Sequence, residues 1–356
     1  MMKTAPAVFA VGREYQIMVP VTQNSLFWVE TGGKCFYDEQ NGIMRSLCST
    51  HRVKVPMSVL DAAGEYTVCE RKIIDRKPYF PVIEDPVKTT FKFKPVPEKN
   101  ARVYHIADTH NMIEDPLKAA ALFGKTDLLI MNGDIPDHSG SIENYDTIYR
   151  LADAITGGSI PIVFARGNHD MRGYYAEAFA EHTPSQNGNT YYSFRVGSIW
   201  GLVLDCGEDK DDGNAEYGGT VSCHCFRQRQ TDFIKKIIKN RQDEYRAKGV
   251  EHIIIVCHNP FTYIQEAPFD IEKEIYGEWA KLIKDNIKPE LMLCGHIHEL
   301  FVSKPGSERD HLGQPCTVIS GSDKKENYHA GCGIVFSSPP VAKFYDSDGI
   351  IMPVEL

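Results

Sequence analysis

Five short motifs stand in one order along the chain. They are Asp108-Thr109-His110, Gly133-Asp134-Ile135-Pro136-Asp137, Gly167-Asn168-His169-Asp170, a lone His258 before Asn259-Pro260, and Gly295-His296-Ile297-His298. Together they supply seven side chains able to hold two divalent cations: Asp108, His110, Asp134, Asn168, His258, His296 and His298. One histidine, His169, is left to spare. Carboxylate, amide oxygen and imidazole suit borderline cations such as Mn, Fe or Zn. Two such ions sharing a bridging oxygen activate water and clamp the attacking and leaving oxygens of an in-line displacement, which is the chemistry of phosphate-ester hydrolysis.

Taken singly the motifs carry little. Asp-x-His and Gly-Asp-x-x-Asp arise often by coincidence, and a histidine after an apolar strand is commonly structural. Their weight lies in the combination. Asp108 and His110 are two residues apart, so on a continuing strand they point to one side and reach one ion. Asp134 follows a glycine that allows a tight turn, and its two carboxylate oxygens can bridge two ions. Asn168 adds a neutral oxygen, and His258, His296 and His298 add nitrogen.

The elements that must position these groups follow from the apolar pattern. After residue 100, strand-length apolar runs (103–107, 128–131, 160–165, 253–256 and 291–294) alternate with helical patterns. One helix, capped by Ser141, carries Ile148, Leu151, Ala154 and Ile155 on one face and ends at Gly157-Gly158. A second holds Phe233, Ile234, Ile237 and Ile238, and a third Ile275, Trp279, Leu282 and Ile283. The alternation predicts an α/β domain with buried sheets. Each motif begins at the carboxyl end of an apolar run, the edge where ligands bind in such sheets.

The first 97 residues differ. Short strand-like runs (5–11, 15–19, 26–29, 52–55, 66–69 and 90–93) are separated by turns such as Thr31-Gly32-Gly33 and Asn41-Gly42. They predict a small all-β, fibronectin III-like sandwich over residues 1–97, with the dinuclear domain over 98–356 and a proline-interrupted linker at 94–100. Phe27 and Trp28 are adjacent and point to opposite faces, so one is core.

Composition sets limits. Of 356 residues, 42% are hydrophobic and 24% charged, with a net charge of −9. The balance is that of a globular protein and argues against a nucleic-acid or anionic-membrane partner. No apolar run is long enough to span a membrane, and the short apolar stretch at 5–11 reads as a first strand rather than a leader. The ten cysteines do not form a dense disulfide framework. Cys257 and Cys294 read as buried thiols, and Cys223-His224-Cys225 is spaced too tightly for a zinc knuckle and reads as a loop or strand edge. A cytoplasmic location is expected.

Over about residues 101 to 345 the motif series resembles the calcineurin-like metallophosphoesterase superfamily. The resemblance implies a four-layer α/β/β/α sandwich with a dinuclear site at one end. It implies that Asp108, His110, Asp134 and His298 hold one metal, that Asp134, Asn168, His258 and His296 hold the other, and that a metal-bridging hydroxide attacks phosphorus. His169 is then suited to protonate the leaving alkoxide. Similarity to the protein Ser/Thr phosphatase branch points to Asp137 as its orienter, with Asp170 as the alternative. Arg166 either binds a phosphate oxygen or makes a surface ion pair. Purple acid phosphatases carry Tyr where Asp137 stands, and protein Ser/Thr phosphatases carry Arg where His138 stands. Both departures point away from those branches.

The acidic, glycine-rich stretch 208–219 reads as a loop, either a lid in which Tyr217 and His224 cover substrate or a surface insertion. Tyr328-His329-Ala330-Gly331-Cys332-Gly333 reads as a second loop. The expectation is therefore a metal-dependent phosphoesterase acting on a small phosphomonoester or phosphodiester. The alternative is a catalytically silent binding or scaffold protein of the same fold, which would usually lack several of the ligands present here.

Overall fold

The computed structural model describes residues 1–356. Its centre is two β-sheets packed face to face. The larger contains Ala101–Ile106, Leu128–Asn132 and Ile162–Ala165 as adjacent parallel strands. The smaller contains Ile199–Leu204, His252–Cys257, Leu291–Cys294 and Thr317–Ser320, also parallel. These strands are largely buried on both faces, so they are predominantly apolar rather than alternating. Between the sheets, Val103, Leu128, Ile130, Val163, Val203, Ile254, Val256 and Leu293 form part of one apolar core. Helices Glu114–Phe123 and Asp146–Thr156 cover the outer face of the larger sheet through Tyr104, Leu129, Met131, Ile148 and Leu151. Helices Cys223–Lys239 and Lys273–Leu282 cover the smaller through Trp200, Leu202, Ile234, Trp279 and Met292. The result is the four-layer α/β/β/α sandwich. No helix is long and apolar enough to cross a membrane.

The N-terminal residues form a β-sandwich, but one of its sheets is shared. Ala7–Val11, Glu14–Pro20 and Thr50–Pro56 extend the larger sheet, with Phe9 opposite Ile162 in parallel pairing. Ser25–Thr31, Lys34–Tyr37, Glu65–Asp75 and Val87–Lys92, with the short Val82–Ile83, form a separate sheet. Alternate residues meet between the two: Val8, Ala10, Ile17, Val53 and Val55 from one, Phe27, Val29, Tyr66 and Val68 from the other. Hydrogen bonding thus runs without interruption across the expected division at residue 97. Phe27 is core, while Trp28 on the opposite face lies under Arg71 at 5.6 Å.

Three local expectations are corrected. Tyr328–Phe336 is a nine-residue strand between Ala101–Ile106 and Val341–Asp346, not a loop. Its glycines misled because they serve packing: a Cβ at Gly331 or Gly333 would strike the ring of Tyr104 or Phe123. Cys223-His224-Cys225 is the first turn of a helix; Cys223 is buried and Cys225 exposed. Ser141 precedes a 3-10 turn, Ile142–Tyr145, and its side chain makes no cap bond.

Candidate metal centre

Five strands end on one rim: Ala101–Ile106, Leu128–Asn132, Ile162–Ala165, His252–Cys257 and Leu291–Cys294. Each is followed within two or three residues by its motif. Asp108 and His110 do not share a face by strand alternation, because the strand stops at Ile106. Asp108 (φ 53°), His110 (φ 41°), Asp134 (φ 51°), His296 (φ 71°) and His298 (φ 54°) all adopt the left-handed conformation. For residues with a Cβ this costs about 1 kcal/mol or more each. Cross-links between the motifs hold it in place. Asp108 N donates to Gly133 O (3.1 Å), His110 N to Asp134 O (3.0 Å), Gly295 N to His258 O (2.9 Å) and His296 N to the Asp108 carboxylate (3.0 Å). Gly133 has φ 81°, and a Cβ there would come within 2.6 Å of both Gly167 Cα and His258 Nδ1, so the turns can close only on glycine.

The seven side chains meet. His258 Nε2 lies 3.2 Å from Asp134 Oδ2 and 3.6 Å from Asp108 Oδ1. His298 Nε2 lies 3.3 Å from Asp108 Oδ1 and 3.3 Å from His110 Nε2. His110 Nε2 is 3.8 Å from Asp134 Oδ2. His296 Nδ1 faces Asn168 Oδ1 at 3.0 Å. Asp108, Asp134, Asn168 and His258 are buried.

The hydrogen bonding tests whether these groups fit a cation. His258 Nδ1 donates to Asn132 O at 2.6 Å, which leaves the Nε2 lone pair aimed at two carboxylates. Nε2 is buried and has no hydrogen-bond partner. Likewise His110 Nδ1 faces Asp137 Oδ1 at 3.1 Å, turning Nε2 inward. Without a cation, burial opposes protonation of His258, yet Asp134 and Asp108 outweigh it and push the imidazole up to about 10, so a bound cation would take the place of the Nε2 proton. His296 goes the other way, down to about 4, through burial and the neighbouring His258. Lone pairs of nitrogen and oxygen converging in a buried space are the donor set that a divalent cation requires.

His169 stands beside this cluster, its ring 4.6 Å from that of His110. Its Nδ1 donates to the backbone carbonyl of Asp137 at 2.9 Å. Neither expected carboxylate holds it. Asp137 turns its carboxylate to His110, and buried Asp170 accepts from Gly167 N (2.7 Å) and Asp134 N (3.2 Å). Burial and the nearby Asp134 hold the Asp170 carboxyl well above its usual range. Arg166 is not brought to the cluster. It pairs with buried Asp205 at 2.7 Å and lies over Phe226. His138 Nδ1 accepts from Gly140 N at 2.9 Å and meets Asn144 Nδ2 at 3.0 Å, shaping its own turn.

Sequence reasoning missed three contributors. Arg172 places Nη1 3.3 Å from His169 Nε2 and grips Glu208 of the acidic loop with two nitrogens at 3.0 Å. Ser322 donates to Asp108 Oδ2. Asn132 joins the buried His105 to His258, with Nδ2 2.9 Å from His105 Nε2. For Ser322 the one available signal was its place just after Thr317–Ser320, again at a carboxyl end. The acidic loop itself is pinned: Glu208 is buried, Tyr217 donates to Asp209 (2.8 Å), and Asp209 lies 3.5 Å from Asn168. His224 is exposed and pairs with Glu272 at 3.0 Å.

The sequence pattern described as calcineurin-like phosphoesterase matches residues 101–300. Among curated proteins none matches the chain. A solved purple acid phosphatase from yellow lupin (Lupinus luteus) seeds is similar with a TM-score of 0.61 and 14% identity, over 99% of this chain and 74% of that one. At that identity the likeness is one of fold. A dimetal phosphatase from Danio rerio aligns over 74% of this chain and 100% of its own, with a TM-score of 0.48 and 12% identity.

Proposed function

The chain belongs to the calcineurin-like phosphoesterase family, and from that premise we propose that it hydrolyses a small phosphate ester at the Asp108–His298 cluster, with His169 donating a proton to the leaving oxygen. Family membership makes it a hydrolase acting on phosphoric ester bonds and implies a divalent metal centre. In this reading Asp108, His110, Asp134 and His298 hold one ion, and Asp134, Asn168, His258 and His296 hold the other. Bound there, the ions would polarise water and the phosphoryl oxygens. Asp137 fixes His110 so that Nε2 faces inward. The Asp137 carbonyl keeps a proton on His169 Nδ1, and Nε2 is the atom that takes up and releases the transferred proton. Arg172, against that same nitrogen, is placed to contact a phosphoryl or leaving-group oxygen as it arrives.

The observation that carries the reading is the buried, unpartnered Nε2 of His258 facing two carboxylates. The test is hydrolysis of p-nitrophenyl phosphate and bis-p-nitrophenyl phosphate by Mn-loaded protein, followed by chelation and by the Asp134→Ala variant. Activity lost in both is expected. Full activity in Asp134→Ala would refute the assignment, and an inert metal-loaded protein across a panel of monoesters, cyclic nucleotides, nucleotide sugars and phospholipid head groups would favour a binding role instead.

A further inference from the structure

The groups around the metal ligands limit how much negative charge a substrate can bring. The neighbouring cations are already engaged. Arg166 is paired with Asp205. Arg172, the arginine against His169, meets three carboxylates: Glu208 at 3.0 Å, Glu216 at 3.3 Å and Asp209 at 3.5 Å. Lys210 shares two of them, Glu216 at 2.9 Å and Asp209 at 3.2 Å. This rim network sets three carboxylates against two cations, and Asp137 adds a fourth carboxylate beside His110. It reaches the ligands directly, since Asp209 Oδ2 lies 3.5 Å from Asn168 Nδ2. A phosphate dianion is well matched by a bidentate arginine fork. Here that fork is held by buried Glu208, which accepts from Arg172 Nε and Nη2 at 3.0 Å each.

We propose that the substrate is a phosphodiester, not a phosphomonoester, and that Glu208 sets this preference by holding Arg172. The inference rests on the phosphoesterase reading above. Above the second phosphate ionisation, at about pH 6, a monoester carries two negative charges and a diester one. The extra charge of the monoester meets the excess of carboxylates on the rim. Arg172 still has Nη1 to donate to a diester oxygen, while its charge is offset by Glu208. A diester also has two organic groups to place. Arg172 and Glu208 line a cavity of about 590 Å³ with Met171, Tyr174, Tyr217 and Val221, and this space takes the group that leaves on the His169 side. The oxygen of water bonds to phosphorus, the bond to the leaving oxygen breaks, and that oxygen takes the proton from His169 Nε2. The products are an alcohol and a phosphomonoester. The monoester carries the second charge that the rim repels, so hydrolysis stops after one ester bond.

The test compares p-nitrophenyl phosphate with methyl p-nitrophenyl phosphate and bis-p-nitrophenyl phosphate on Mn-loaded protein at about pH 8, above that ionisation. The diesters are expected to have the higher kcat/KM, by about tenfold or more, and bis-p-nitrophenyl phosphate to release a single equivalent of p-nitrophenol. Glu208→Gln frees the arginine fork and should move the diester-to-monoester ratio about tenfold toward the monoester. Glu216→Gln, at an exposed carboxylate, should move it the same way by about threefold. Calorimetry reads binding without turnover: phenylphosphonate, a dianion, should bind the natural protein more weakly than its monomethyl ester, and Glu208→Gln should narrow the gap. A monoester preference in the natural sequence, or a ratio that neither variant moves, overturns the proposal and leaves the phosphoesterase reading standing. Hydrolysis of neither kind of ester overturns both.

Discussion

Replacing Asp137 with asparagine separates two roles for that residue. Its carboxylate lies 3.1 Å from His110 Nδ1, while its backbone carbonyl lies 2.9 Å from His169 Nδ1. The Asp137→Asn variant would keep the carbonyl and lose the charge that orients His110. Removing a partner of a metal-bound histidine weakens metal binding 10- to 100-fold, or about 1.4–2.7 kcal/mol. The Asp137 side chain is 49% exposed, so solvent screening places the effect near the lower figure. Titrating Mn against the apoprotein, with activity at each concentration, gives the affinity directly. At saturating Mn, turnover should recover to within a few-fold of the natural enzyme. Its dependence on leaving-group basicity, measured with p-nitrophenyl and alkyl phosphates, should be unchanged because His169 is still held. A variant with normal Mn affinity, but with selective loss of turnover on alkyl esters at saturating metal, would refute the reasoning and return the carboxylate to His169.

Three further outcomes are expected. His169→Asn should lower kcat on an alkyl phosphate by about 10²–10⁴-fold and on p-nitrophenyl phosphate far less, since that leaving group needs no proton; equal losses on both would remove His169 from proton donation. Arg172→Ala strands the buried Glu208 carboxylate, so urea unfolding should show a loss of about 3 kcal/mol, and Arg172→Ala/Glu208→Gln should recover much of it; additive losses would deny the coupling. Burial lowers His105 to about 3 and His329 to about 4. Unfolding lets both bind protons near pH 6.5 while the folded chain does not, so their stabilisation is present above that pH and is lost as pH falls toward 4. Between pH 6.5 and 5 the loss should approach about 2 kcal/mol each. His329→Gln should flatten that acid limb in chelator-treated protein, and an unchanged limb would refute it.

The parallel strands of both sheets that carry motifs were legible because a strand buried on both faces must be apolar along its length, as in 128–132 and 291–294. The same logic failed for Tyr328–Phe336, where glycines make room for Tyr104 and Phe123. It failed also for Ala7–Val11, which reads as a strand but whose parallel partner, Ile162–Ala165, lies about 150 residues away. The shared sheet was therefore invisible. The identities and order of Asp108, His110, Asp134, Asn168, His258, His296 and His298 were set by the sequence, because donor chemistry is a property of residue type, and so was their delivery to one rim, because every motif follows a buried strand.

Only the tertiary structure decided the connections. That Asp137 serves His110 by its side chain and His169 by its backbone, that Asp170 clamps turns, that Arg166 is taken by Asp205 while Arg172 is the arginine brought against His169, all depend on rotamers and on backbone in the left-handed region. Spacing along a chain cannot encode those angles, since they are held by hydrogen bonds between motifs tens to hundreds of residues apart.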